Sequence, residues 1–317
     1  MEKIKQPKIY FKEEGHIYYD DNNERYESVT TFISNFFNSF NSEYWSAYTA
    51  LKNLGYFVKP DEKNNIIKIN NVDYNVKNII NSEYIKKEIK KVKEEWLQKN
   101  INGCERGNKI HIFFQNTVNK SKEDLKGISN NLVVPFYYST FTDTYSLNYN
   151  KKELENLRLI SEVLYQDVIK HINMGYYAFA EKIVYSSIFK KAGQIDLLFI
   201  KDKFFKIKDY KTNNKNIDFF AGYYKKFNVN GEWVKSNEFI RTFEKFKKPI
   251  ENLENCLGIK YSLQLSMYAY MMELWGYKLE NNDGLSIHHI RDNYEPCIIP
   301  VKYLKKEIIK MLNYGNK

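Results

Sequence analysis

Two carboxylates and a lysine stand at a spacing that chemistry can use: Asp196 in Gly193-Gln194-Ile195-Asp196, then Asp209 and Lys211 on either side of Tyr210 in Asp209-Tyr210-Lys211-Thr212. Residues two apart on an extended strand point to one face, so Asp209 and Lys211 share a face. Tyr210 turns its ring to the other and still offers a backbone carbonyl. Carboxylate oxygens and a main-chain carbonyl are the hard donors that Mg²⁺ or Mn²⁺ takes, and a cation so held polarises a phosphodiester and activates a water. A lysine beside them orients that water or neutralises charge developing on the phosphate.

The element that must position these groups is Glu181 to Thr212. It contains three runs rich in Ile, Val, Phe and Tyr, broken at Lys190 to Gly193 and at Lys201 to Lys203. Those are hairpin spacings, and the stretch is expected as a three-stranded antiparallel meander. Upstream, Gly103 to Asn119 is expected as a helix with Glu105, Gly107, His111 and Gln115 near one face. Downstream, Lys260 to Gly276 is expected as an apolar helix on which Gln264 and Tyr268 share a face.

An Asp, a hairpin and then Asp-x-Lys at the end of the next strand resembles the core of the PD-(D/E)XK nucleases. Four features occur in the order expected of the RecB-type exonuclease branch, in its phage and mitochondrial-genome-maintenance-like members: Trp96 with Arg106-Gly107-x-x-Ile110-His111, Gly193-x-x-Asp196, Asp209-x-Lys211, and Gln264-x-x-x-Tyr268. The resemblance covers Trp96 to Gly276. It implies a restriction-endonuclease-like α/β fold, a central mixed β-sheet flanked by helices, with an N-terminal hairpin and helical extension and insertions. It implies a metal-dependent exonuclease acting on single- or double-stranded DNA in recombination, repair or replication, alongside partner proteins of those processes. His111, Asp196, Asp209 and the Tyr210 carbonyl would hold Mg²⁺ or Mn²⁺, Lys211 would serve the attacking water, and Gln264 and Tyr268 would position substrate. Glu181 and Glu105 are further acidic candidates. The competing reading is a nuclease fold retained as a catalytically inactive nucleic-acid-binding module.

Composition sets outer bounds. The 317 residues are 43% hydrophobic and 16% aromatic, the profile of an ordered chain with a sizeable core. Forty-nine Lys and Arg against 39 Asp and Glu give a formal charge of +10, which favours polyanionic partners. The abundance of Lys, Asn, Ile and Tyr is also the codon signature of an AT-rich genome such as a phage carries, so charge supports a nucleic-acid partner only alongside the motif. Cys104, Cys256 and Cys297 are far apart and form no CxxC. Disulfides and zinc sites are therefore not expected, and three cysteines cannot supply the four ligands of the iron–sulfur cluster that some RecB-type nucleases hold. No stretch has signal-peptide or membrane-span character, so a cytoplasmic protein with no membrane partner is expected.

The chain is read as one nuclease domain over 1–317, with an N-terminal extension (1–95) and a catalytic core (96–290). Lys8 to Glu27 is expected as a hairpin around Asp20 to Asn23, followed by a helix capped at Ser28 or Thr30 and running through Phe36 and Phe37. Glu43 to Leu54 and Ser82 to Asn100 have helical period, and Asp61 to Val76 is a polar hairpin that serves as a lid or as decoration. Ser121 to Tyr149 lacks period, and Lys151 to Asn173 is an amphipathic helix. Residues 213–258 are aromatic and basic, an inserted substrate-contacting element or a folding decoration. Closing strands at Leu285 to Ile290 and Pro296 to Val301 precede a final helix, Val301 to Tyr314.

Overall fold

The computed structural model describes residues 8–12, 14–15, 17–38, 40–124, 164, 166–229, 232–281, 283–291 and 296–314. Most of the 121–149 stretch and the first part of the 151–173 helix lie outside the described residues. The chain divides into two compact units, one of Met1–Asn38 with Gly107–Lys317 and one of Ser39–Arg106. The 1–95 extension is thus not one body: its first 38 residues fold with the unit that carries the meander.

In chain order the strands are β1 (Ile9–Lys12), β2 (Ile17–Asp20) and β3 (Arg25–Ser28), followed by helices α1 (Val29–Ser34) and α2 (Ser42–Asn53). Next come β4 (Val58–Asp61), β5 (Ile66–Ile69), β6 (Val72–Asn75), α3 (Val76–Ile80) and α4 (Glu83–Asp124). A helical segment over 166–173, α5, leads to β7 (Tyr177–Ser186), β8 (Lys191–Lys201) and β9 (Phe204–Lys211). The hairpin β10 (Gly222–Val229) and β11 (Glu232–Arg241) follows, then α6 (Leu257–Leu274), β12 (Lys278–Leu279), β13 (Leu285–His289), β14 (Cys297–Pro300) and α7 (Lys305–Tyr314).

The larger unit is built on a mixed sheet in the order β1-β2-β3-β8-β9-β13-β14, with β7 paired to β8 and β12 to β9. The meander is antiparallel, β7 to β8 and β8 to β9. β3 runs parallel to the start of β8, and β13 returns parallel to β9 after α6. Helices cover both faces. On one, Phe32 and Ile33 of α1, Leu265 and Met272 of α6 and Ile308 of α7 bury Leu198, Ile200, Phe205 and Ile207. On the other, Ile110 and Phe114 of α4 and Val168 of α5 bury Leu197, Phe199 and Tyr210. The strand hydrophobics alternate between these two clusters, which is why a period of two covers the sheet on both sides.

Local chemistry accounts for the departures from the sequence pattern. Ser28 Oγ accepts the Thr31 N–H at 3.0 Å and caps α1, but α1 ends at Ser34. The Asn35 and Phe36 N–H groups bond back to Phe32 and Ile33 at i−3, closing the helix with tight turns before Phe37. The two helices expected on either side of Gly103 are one continuous α4, because a lone glycine in a helix costs only about 1 kcal/mol.

The smaller unit has its own core, in which Tyr44, Ala47 and Leu51 of α2 pack with Ile67, Ile79 and Val92. The expected 61–76 hairpin gains a third strand, β4, and is pinned by the Tyr44 hydroxyl. That hydroxyl accepts the Asp61 N–H at 2.6 Å and donates to the Ile66 carbonyl at 2.9 Å. Among the described residues no helix is long and apolar enough to cross a membrane.

Candidate metal centre

Strand β8 holds the key to the site because its partners change along its length. β7 follows one edge from Lys191 to Ile200. The other edge pairs with β3 at Lys191 and Ala192, and with β9 only from Leu197 onward. Between these two partners, over Gly193 to Asp196, the sheet forks.

Three carboxylates form a row across the fork. β7 and β8 pair Ala180 with Leu197 and Lys182 with Ile195, which leaves Glu181 opposite Asp196. The ladder between β8 and β9 ends at Leu197 with Lys208, and the next position in that register sets Asp196 opposite Asp209. In place of a ladder bond, the Tyr210 N–H donates to Asp196 Oδ2 at 2.6 Å.

Glu181 has φ +48°, a left-handed conformation that non-glycine residues adopt rarely and that is costly inside a strand. It reverses the alternation of the strand. Ala180 packs on the α4 side two residues before Lys182, yet Val184, of the same parity, packs on the α6 side. β8 reverses at the same row, with Ile195 on the α6 side and Leu197 and Phe199 on the α4 side. The row is therefore where both strands exchange faces, and the side chain of α4 that reaches it is His111.

His111 Nδ1 lies 3.1 Å from Glu181 Oε1 and 3.8 Å from Asp196 Oδ1. One ligand atom from each of His111, Glu181 and Asp196 falls within 4.8 Å of the others. Two ligands of an ion with bonds of about 2 Å stand at most about 4 Å apart, so the separations from His111 suit Mg²⁺ or Mn²⁺. Asp209 occupies the neighbouring position. It is 1% exposed, and its Oδ2 lies 2.6 Å from Lys211 Nζ. That ammonium serves Oδ2, while Oδ1 is buried with no hydrogen-bond partner. A buried carboxylate oxygen without a donor is what a cation would satisfy. The donor set, one imidazole nitrogen with carboxylate oxygens, fits a divalent ion of the Mg²⁺ or Mn²⁺ kind.

The charges agree with that fit. Burial raises the Asp196 carboxyl, with Glu181 adding to it while His111 and Lys211 pull it down. Burial likewise lifts Asp209 to about 6 against the pull of Lys211, with Asp196 adding to the rise. Burial acts against a charged His111, but Asp196 and the Glu181 contact outweigh it and carry the imidazole to about 9. Lys211 is also buried, yet Asp209 and Asp196 raise it and keep it an ammonium.

α6 closes the fork from the sheet's other side. A Cβ on Gly193 would stand 2.5 Å from Tyr268 Cε1, so the glycine is what admits this ring. Gln264 Nε2 donates to the Tyr268 hydroxyl at 3.0 Å. Gly107, by contrast, has only Thr212 Oγ1 at 3.5 Å from a notional Cβ, an ordinary contact, so no close approach demands a glycine there.

The structure thus gathers His111, Glu181 and Asp196, sets Asp209 with Lys211 beside them, and brings Gln264 and Tyr268 to the fork. The Tyr210 backbone enters through its N–H. Glu105 is exposed, lies in the smaller unit and is not among the gathered residues. Two residues escaped the sequence reading. The Lys211 ammonium sits 4.8 Å over the ring of Tyr261, which shares the helical stripe of Gln264 and Tyr268 and was legible by that period. Tyr18 of β2 is fully buried, and its hydroxyl is pushed up by burial and by Glu181 and Asp196. Nothing in the local sequence announces it. No family model, curated protein or solved structure matches the chain.

Proposed function

We propose that this chain is a divalent-metal-dependent nuclease of the PD-(D/E)XK type that hydrolyses DNA phosphodiester bonds as an exonuclease of the RecB-type branch. The observation that carries the reading is the convergence of a helix-borne histidine with carboxylates from two adjacent strands, with Asp209 of the next strand and a lysine held as an ammonium beside them. His111, Glu181 and Asp196 would hold Mg²⁺ or Mn²⁺, with Asp209 and the Tyr210 carbonyl completing the ligand set. When bound, such an ion supplies Lewis-acid polarisation of the phosphodiester and activation of a water.

The chain's own groups divide the remaining work. Lys211, charged and fixed by Asp209, neutralises the negative charge that develops on the phosphate oxygens as water adds and the P–O bond to the leaving strand breaks. Gln264 and Tyr268, joined by their hydrogen bond and locked over Gly193, hold the wall of the fork against which substrate is positioned.

The test is digestion of end-labelled single- and double-stranded DNA with Mg²⁺, Mn²⁺ or EDTA. Cleavage is expected with either metal and absent in EDTA. Asp209→Ala and Lys211→Ala should each lower the rate by about 10³-fold or more. Metal-independent binding without cleavage would replace this reading with the binding-only module, and full activity in both variants would overturn the site.

A further inference from the structure

The hairpin of β10 and β11 forms a two-stranded sheet of its own, outside the main sheet. Its surface is unusual for a ribbon open to water. Tyr223 is 57% exposed and Phe227 50%, and at its base Phe220 is 53% and Phe243 60% exposed. Four large aromatic rings in solvent within one short segment is not the scatter of single apolar residues that any surface shows.

The rings are interleaved with cations. The Arg241 guanidinium lies 4.2 Å from the Phe220 ring centroid and 4.6 Å from that of Phe243, and it is held in place by an ion pair with Glu254. Lys235 Nζ sits 3.7 Å from the ring of Tyr224, which shares a face of the ribbon with Arg241 and lies on the face opposite Tyr223. Phe243 has φ +57°, a left-handed conformation that a bulky side chain adopts only at a penalty. That penalty holds a phenyl ring out in water, where burial contributes nothing to offset it. From 215 to 248 the chain carries eight Lys and Arg against four Asp and Glu.

We infer that this ribbon is a stacking platform for an unpaired nucleic-acid strand, with Phe220, Phe243, Tyr223 and Phe227 taking bases and the interleaved cations tracking the phosphates. Exposed rings beside Lys and Arg are what a single strand binds, because every base has a face to stack and every step a phosphate to neutralise. A paired duplex keeps its base faces occupied and offers these rings nothing to stack on. Aromatic rings and arginine suit protein interfaces as well, but lysine is depleted at their cores, so the lysines among these rings are what favour the strand. The inference names the substrate form for the nuclease proposed above and rests on that reading for its purpose. Its test needs no catalysis.

The experiment is fluorescence anisotropy of the full chain in EDTA with a labelled oligothymidylate, the same-length single-stranded RNA, a duplex of that length, and polyglutamate as competitor. Single strands should bind more tightly than the duplex, and polyglutamate should compete weakly; the two single-stranded arms report which sugar is preferred. Phe220→Ala with Phe243→Ala should weaken single-strand binding by about 30-fold, as should Tyr223→Ala with Phe227→Ala. All four side chains are exposed, so an unchanged melting temperature is expected, and Tyr84→Ala, an exposed ring elsewhere, should change nothing. Unchanged affinity in both double variants, equal or tighter binding of the duplex, or full competition by polyglutamate would overturn the inference. Because EDTA removes cleavage from the measurement, loss of the nuclease reading would show only in the digestion assay.

Discussion

At the residue scale, the row Glu181, Asp196 and Asp209 concentrates negative charge at a buried fork, and protons take up what a cation would otherwise balance. Asp209, lifted to about 6, holds its proton more tightly folded than unfolded. Its contribution to stability is complete below the unfolded carboxylate range near pH 4 and is lost as pH rises through 6. His111, lifted to about 9, contributes fully below about pH 6.5 and loses that contribution as pH rises through 9. Burial holds His288 near 4, so that residue gains stability from pH 4 to 6.5 in wild type and Asp209→Asn alike. Over pH 4 to 7 the metal-free wild type should therefore lose melting temperature relative to Asp209→Asn, and from pH 7 to 9 it should lose more as His111 gives up its proton. Since the ligands must shed protons to bind a metal, the rise in melting temperature on adding Mn²⁺ should grow over the same range. A pH dependence between 4 and 7 that is the same in Asp209→Asn as in the wild type would contradict the charge state of Asp209. Asp196, Asp209 and Lys211 are legible in the sequence because strand alternation and a two-residue spacing are local facts. The standing of Glu181 as a direct partner of His111 is not, since it depends on one left-handed residue placed opposite Asp196 by the pairing of two strands.

At the scale of elements, the meander is legible because its β-branched and aromatic runs are bounded by short breaks, and α6 because its apolar period is long. The fork is not legible: it exists because β3, a strand from the far N-terminus, pairs with the first two residues of β8 and leaves no room there for β9. The parallel return of β13 beside β9 is equally invisible to local pattern. What the sequence does mark is the closing of the fork, by a glycine at 193 between Ala192 and Gln194 of β8. Gly193→Ala would force a methyl within 2.5 Å of a ring that is 3% exposed and cannot swing into solvent. It should destabilise by about 1–3 kcal/mol as overpacking and displace Tyr268 and Gln264 from the fork. Gly107→Ala, in the interior of α4 with only an ordinary contact at 3.5 Å, should instead stabilise by up to about 1 kcal/mol through helix propensity. Urea denaturation of the two variants separates the glycine that admits a neighbour from the glycine that merely interrupts a helix; the opposite order of effects would reverse that assignment.

At the scale of the molecule, the division into two units was not legible, because α4 runs unbroken through the residue range of both and hydrophobic periodicity gives no sign of a boundary at 106. Contacts draw the line instead. The core of Tyr44, Leu51, Ile67 and Val92 contains residues of the smaller unit alone, while the candidate metal ligands all belong to the larger. A ligand stabilises the cooperative unit that binds it, by about 2.7 kcal/mol when present at 100 times its Kd. A buried leucine cut to alanine weakens the core that loses it, by about 2–5 kcal/mol. Separate cores therefore make a calorimetric prediction: Mn²⁺ should raise the melting transition of the larger unit, and Leu51→Ala should lower that of the smaller, each leaving the other in place. If α4 instead couples the two cores into one cooperative transition, a single peak will move under both treatments, and the separation of the cores by contacts would not be a separation in stability.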